Sequence, residues 1–200
     1  MNNHADMVRV FIALDIPLSG KHLLTDIMGS LQQEISTGIR WVDPAGIHLT
    51  LKFLGDIKQG LVPDVMAAMV QACETATPFS LNLAGLGVFP NPRQPRVLWA
   101  GIDGDMKPLR SLQERVDAAV HGLGFSLERR DFKPHLTLGR VRNSVAQKRS
   151  SQIGSAIAYT TFKASDSWRV EEMHLVQSNL SPQGTTYTSI GAKPFRGDHG

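Results

Sequence analysis

The sequence predicts a mixed helix-and-strand protein built from two equivalent lobes around a cleft, and three observations carry that prediction. The tetrapeptide His48-Leu49-Thr50-Leu51 returns as His135-Leu136-Thr137-Leu138, 87 residues further on. Around both copies the patterns follow one order: strand, helix, His-x-Thr strand, helix, strand. The opening strands of the two series lie 89 residues apart, nearly the same offset. An internal duplication within a single domain of residues 1–200, with halves at about 8–87 and 97–195, accounts for all three. It would set the two His strands in equivalent positions about a pseudo-twofold axis, and a cleft between lobes is a usual place for a site.

Residues 8–16 (VRVFIALDI) are rich in β-branched and apolar side chains and stop at Pro17, the pattern of a buried strand. Ser19 is expected to cap the next helix, in which Leu23, Leu24, Ile27, Met28, Leu31 and Ile35 recur at helical spacing, and Gly38 to end it. After Trp41, Pro44 and Gly46 the first His-x-Thr run reads as a strand as far as Gly55. Residues 63–73 form a second helix with Pro63 near its first turn, and 79–86 a third strand. The three prolines of 89–96 (FPNPRQPR) demand an irregular connection, the boundary between halves. The second half runs strand 97–102, helix 106–121, the His-x-Thr strand from His135, and a helix over 146–158. Strands over 168–178 and 185–193, joined by a turn containing Pro and Gly, complete it, and 196–200 fray.

Two hundred residues suffice to bury a real core, and 42% hydrophobic with 20% charged content is ordinary for a soluble protein. No apolar run is long enough to cross a bilayer, and residues 1–7 lack the charged start and apolar core of a signal peptide, so no membrane partner is expected. A lone Cys73 makes no internal disulfide, which fits a reducing cytoplasm. The net charge of +3 says little. Its distribution says more: Arg129, Arg130, Lys133, Arg140, Arg142, Lys148 and Arg149 bracket the second His-x-Thr copy with only Asp131 among them. That stretch is either a seat for a polyanion or a solvated face of loop and helix.

In a strand, residues two apart share a face, so each copy shows His and Thr together and turns its leucines the other way. With their flanks, HLTLKFLG and PHLTLGR, together with VRVFIALDIP, GLGVFPNPRQPRVLWAGI and LVQSNLSPQGTTYTSI, resemble the bacterial RNA 2′,3′-cyclic phosphodiesterases, also called 2′-5′ RNA ligases, of the two-histidine phosphoesterase superfamily. The resemblance runs from about residue 8 to residue 195. It implies an α+β fold of two pseudo-symmetric lobes, each a mostly antiparallel sheet with helices outside and the site in the groove between them. Strand and helix periodicity alone leaves a parallel α/β sheet open, although no glycine-rich phosphate loop follows the first strand.

Opening a 2′,3′-cyclic phosphate needs a base for water and an acid for the leaving ribose oxygen. Two imidazoles, titrating near ~6.5 when unperturbed, supply both without metal or cofactor. The resemblance implies that His48 is the general acid and His135 the general base, with Thr50 and Thr137 donating to the phosphate oxygens, and that reversal would join a 5′-hydroxyl in a 2′-5′ linkage without ATP. The expected partner is RNA with a 2′,3′-cyclic phosphate end, tRNA fragments among them, and the expected state a monomer. The alternatives are a small cyclic phosphate such as that of ADP-ribose, a 2′-5′ oligonucleotide, or a non-catalytic module that holds an RNA end. Zinc on His48 and His135 is the chemical rival, with no Asp, Glu or Cys at ligand spacing beside either motif.

Arg140 binds phosphate or makes a surface salt bridge. Strand parity sends it to the leucine face, which a bulge at Gly139 would correct. Lys52 shares parity with His48 and Thr50 and is a second candidate for phosphate. Phe132 stacks on a base or packs beneath the strand, and Arg130 is a substrate-binding candidate within the basic stretch. The remaining histidines, His4, His22, His121, His174 and His199, fit no spacing with the motif and read as ordinary surface or packing residues.

Overall fold

The apolar patterning resolves into strands β1 (Met7–Leu14), β2 (Ile39–Trp41), β3 (Leu49–Lys58), β4 (Phe79–Phe89), β5 (Val97–Gly104), β6 (His135–Val141), β7 (Trp168–Val170), β8 (Glu172–Ser181) and β9 (Gly184–Pro194). Helices α1 (Leu18–Glu34), α2 (Val62–Cys73), α3 (Met106–His121) and α4 (Gln147–Tyr159) alternate with them. The computed structural model describes residues 6–160, 167–181 and 184–196. His4, His199 and most of the expected frayed tail lie outside these residues, as do Pro182 and Gln183 of the expected turn.

Two antiparallel sheets result, one ordered β3-β1-β8-β9 and the other β2-β6-β5-β4-β7. Each His-x-Thr strand lies against the opening strand of its own half, β3 on β1 and β6 on β5. The next neighbours are exchanged: β1 takes β8 from the second half, while β5 takes β4 from the first. Residues 89–96 therefore connect two strands of one sheet, and the divide between sequence halves is not the divide between lobes.

That exchange explains the main error of the sequence reading at the C-terminal end. One strand was expected over 168–178; the chain instead breaks at Glu171, leaving β7 beside β4 and carrying β8 across to β1. No glycine or proline marks the break, because WRVEEMHL is strand-like throughout. The break is held from outside, by the backbone N–H of Phe195 donating to the Glu171 carbonyl (2.7 Å). Ser19 does not cap α1, which starts at Leu18 straight after an extended Pro17 and has no side-chain cap. The expected end of that helix at Gly38 is also displaced: α1 stops at Glu34, and Gly38, at φ 95°, makes the turn into the unforeseen β2.

The leucines of both motifs are buried: Leu49, Leu51, Leu136 and Leu138 are each under 5% exposed. At roughly 1.5–3 kcal/mol for each fully buried side chain, they fix the register. A slip by one residue would drive the imidazoles into the core. Opposite this main core, Phe11, Ala13 and Val176 form a small second cluster on the other face of the β1–β8 sheet. Residues 10–14 of β1 are thus apolar on both faces, which is why they read as an unbroken apolar run.

Candidate functional site

Both His-x-Thr strands carry an extra residue at the same place. Thr50 pairs with Ala13 and Lys52 with Ile12, leaving Leu51 unmatched; Thr137 pairs with Trp99 and Gly139 with Leu98, leaving Leu138 unmatched. A bulge of this kind throws the alternation of side chains out by one. In β6 it returns Arg140 to the side of His135 and Thr137: Arg140 is exposed while Val141 is buried. In β3 it does the reverse to Lys52, sending the ammonium to the helix side. There Nζ pairs with the Asp117 carboxylate and donates to the Ser126 carbonyl (2.7 Å), with both side chains of the ion pair about one-tenth exposed. The Glu128 N–H binds the other oxygen of Asp117 (3.0 Å), so this pair ties β3, α3 and the loop after α3 together. The parity that made Lys52 a phosphate ligand is broken by the Leu51 bulge, and its charge is already matched.

The two candidate histidines are held alike. Nδ1 of His48 lies 2.8 Å from the Gly46 carbonyl, and Nδ1 of His135 lies 2.7 Å from the Lys133 carbonyl, in each case two residues back. A carbonyl only accepts, so Nδ1 carries hydrogen in both rings and Nε2 is the nitrogen left for chemistry. The chain is turned for this contact by different means. Before His48 it is a one-turn 3-10 helix, Pro44–Gly46, capped by the Asp43 carboxylate accepting from Ala45 N–H (3.0 Å). Before His135 it is Pro134, which biases Lys133 to an extended backbone. Thr50 and Thr137 are half-buried beside their histidines, and β3 and β6 approach across the two sheets to within 8 Å between Cα atoms.

Surroundings differ more than the backbone does. His48 stacks on the buried Phe11 ring (centroids 4.3 Å, planes 24° apart), with Tyr187 edge-on at 5.0 Å. Burial lowers its pKa from the ordinary value, opposed by the Gly46 carbonyl and the Asp15 carboxylate and assisted slightly by Lys21. His135 meets Phe89 edge-on at 4.9 Å and Trp99 at 6.5 Å. Phe132 packs half-buried against the core, and its carbonyl accepts from Arg110 (3.0 Å).

A cavity of about 600 Å³ is at neither histidine; it lies between α3 and the 127–133 loop. Arg129, Arg130 and Lys133 line it, but so do Glu114, Glu128 and Asp131. Arg130 is engaged by Glu128 (3.1 Å), whose carboxyl it holds down at about 2. Arg142, Lys148 and Arg149 are exposed. A smaller cavity of about 180 Å³ opens beside His48 and brings in His174, a residue that spacing alone set aside. Its sequence signal was weak, since β8 reaches the first sheet only through the strand exchange.

The fold is that of the two-lobed phosphoesterases. The chain belongs to the LigT like Phosphoesterase family, which matches residues 14–99 and again 102–187. A relative from Methanothermobacter thermautotrophicus, named RNA 2′,3′-cyclic phosphodiesterase, is 32% identical over 92% of this chain and 96% of its own length. One of the same name from Thermus thermophilus is 30% identical over 96% of this chain and 93% of its own. Among solved structures, TT0787 of Thermus thermophilus superposes with a TM-score of 0.76 at 29% identity, covering 96% of this chain and 100% of that one. E. coli LigT complexed with 3′-AMP superposes at 0.71 and 22% identity, covering 95% and 99%, which speaks for the fold.

Proposed function

We propose that the protein opens RNA 2′,3′-cyclic phosphate ends to 2′-phosphomonoesters, with His48 as general acid, His135 as general base, and no metal in the reaction. The observation that carries this reading is the matched pair of Nδ1–carbonyl contacts, which leave two Nε2 atoms of defined tautomer on strands that approach one another. Nε2 of His135 takes the proton of water as its oxygen attacks phosphorus. The bond from phosphorus to the 3′ oxygen breaks, and that oxygen receives the proton held on Nε2 of His48. Thr50 and Thr137 donate to the non-bridging oxygens, where charge grows, and Arg140, brought to the same face by its bulge, adds a cation there.

The acid role requires a proton on a ring whose burial disfavours it. An incoming phosphate anion supplies the compensating charge, so His48 is recharged by the substrate it serves. With a 5′-hydroxyl in place of water the same steps run as a ligation. The two separate family matches support the duplication as the origin of the paired motifs.

The test is hydrolysis of a nucleoside 2′,3′-cyclic phosphate in the presence of chelator, with the product position read by phosphorus NMR. Formation of the 2′-phosphomonoester at a rate indifferent to chelator is expected. Binding without turnover would make the protein a holder of RNA ends, and activity restored only by added zinc would move the histidines to a metal site.

A further inference from the structure

The cavity beside His48 contains a polar network that the acid–base pair does not use. His174 on β8 has Nε2 3.3 Å from a Glu172 carboxylate oxygen and Nδ1 3.1 Å from the Ser189 hydroxyl on β9. The Glu172 carboxylate beside Nε2 favours the tautomer with its hydrogen there, in which Nδ1 of the neutral ring accepts from Ser189. The Ser189 hydroxyl has a second acceptor in reach, the Gly191 carbonyl at 3.5 Å, but the nearer His174 Nδ1 takes its single hydrogen, and its lone pairs are left to accept. Asp15, on the same cavity wall, takes both of its hydrogen bonds on Oδ1, from Ile16 N–H and Lys21 Nζ (2.8 Å each). Among the described residues Oδ2 has no partner.

The remaining walls are flat and apolar, made by Leu14, Ile47, Val176 and the ring of Tyr187. Tyr187 lies where it does because residue 46 is glycine; a Cβ there would come within 2.8 Å of the ring. A space of about 180 Å³ with apolar faces, an aromatic wall and two acceptors at its edge matches the shape and chemistry of a nucleobase that presents hydrogen-bond donors.

We infer that this cavity seats the base of the terminal nucleotide and selects bases with an exocyclic amino group, through the Ser189 hydroxyl and the free oxygen of Asp15. The placement rests on the proposed function. Attacking and leaving oxygens stand roughly in line across phosphorus, so an acid at His48 puts the leaving ribose, and the base it carries, on the His48 side. His174 acts through Ser189 and is a positioning residue.

The experiment compares three substrates: cytidine 2′,3′-cyclic phosphate, uridine 2′,3′-cyclic phosphate, and the 2′,3′-cyclic phosphate of 1-O-methylribose, which has no base. Cytosine offers its 4-amino group where uracil offers a carbonyl to the two acceptors. One hydrogen bond to such a group corresponds to about a tenfold preference for cytidine in kcat/KM, carried by KM. Ser189→Ala, a change too small to disturb the strand, reduces that preference to what Asp15 alone supplies, and His174→Gln, which keeps a polar side chain at position 174, weakens it. Tyr187→Leu brings the KM of both nucleotides toward that of the base-free compound. Equal kcat/KM for cytidine and uridine in the unaltered protein, or a preference undiminished by Ser189→Ala, overturns the inference while leaving the proposed function standing. Failure to open any of the three overturns both.

Discussion

The two histidines have the same backbone and different neighbourhoods. Each gives Nδ1 to the carbonyl two residues back, and each precedes a threonine and a bulged leucine. Around that common frame, His48 is stacked on a buried ring, with a carboxylate and a third imidazole lining the same cavity. His135 is bounded by ring edges and follows, along the chain, a loop of charged side chains. The shared frame fixes tautomer and reach, while burial lowers the proton affinity of His48. Duplicated motifs therefore need not be duplicated roles.

Removing either ring should have the largest effect. His48→Ala and His135→Ala are each expected to lower turnover by roughly 10²-fold or more, the range for a positioned acid or base. The double variant should be little worse than either single one, since the pair acts as a unit. Two single variants close to full activity, measured on a nucleoside cyclic phosphate, would dissolve the comparison at its root.

The two bulges make a second contrast. Lys52→Ala leaves Asp117 buried without its cation, for which the cost is about 3–5 kcal/mol. Thermal or urea unfolding should show it as a large loss of stability. Arg140→Ala, at an exposed position, should leave the unfolding midpoint nearly unchanged and raise KM, by about tenfold for a charged hydrogen bond to phosphate. If Lys52→Ala instead raised KM in a protein of normal stability, the account of the Leu51 bulge would be wrong.

Those bulges also mark where the sequence stopped being legible. Alternation over four residues was enough to pair His with Thr and bury the leucines, because apolar burial enforces a period of two. One inserted residue then inverted the reading for Lys52 and rescued Arg140, and nothing local distinguishes Leu51 or Leu138 from an ordinary strand leucine. β2 was missed for a similar reason: three residues are too few for periodicity to show, and its place depends on Gly139, where a Cβ would come 2.7 Å from Ile39. His174 was passed over because its partners Ser189 and His48 are remote in sequence and meet only when β8 crosses to β1.

The basic residues that follow the second motif along the chain predict a smaller effect that depends on substrate length. With Arg130 already engaged by Glu128, the exposed cations without a carboxylate partner among the described residues include Arg142, Lys148 and Arg149. Each such contact with a single strand contributes about 0.7 to the slope of log affinity against log salt. Changing all three to Ala should flatten that slope for an oligoribonucleotide ending in a cyclic phosphate and leave it unaltered for the mononucleotide. Equal slopes for both substrates in the unaltered protein would assign these residues to solvent.

The smallest effect separates the roles of the two rings. Lys21 helps to lower the pKa of His48 and also neutralises Asp15, which raises it, so Lys21→Gln acts in one direction through both: the His48 pKa rises. If His48 is the acid, the reactive form has His48 protonated and His135 neutral. Raising the His48 pKa then increases the protonated fraction only where that fraction is limiting, at high pH. The kcat/KM profile, which reports the free enzyme, should gain on its alkaline side and be unchanged far on its acid side. If His48 were the base, the neutral fraction would be limiting at low pH, and the same substitution would depress the acid side and spare the alkaline one. The two outcomes differ in which flank moves, whatever the order of the two pKa values. A profile that moves only on its acid flank would exchange the roles of His48 and His135, and would carry the leaving ribose and its base to the other lobe.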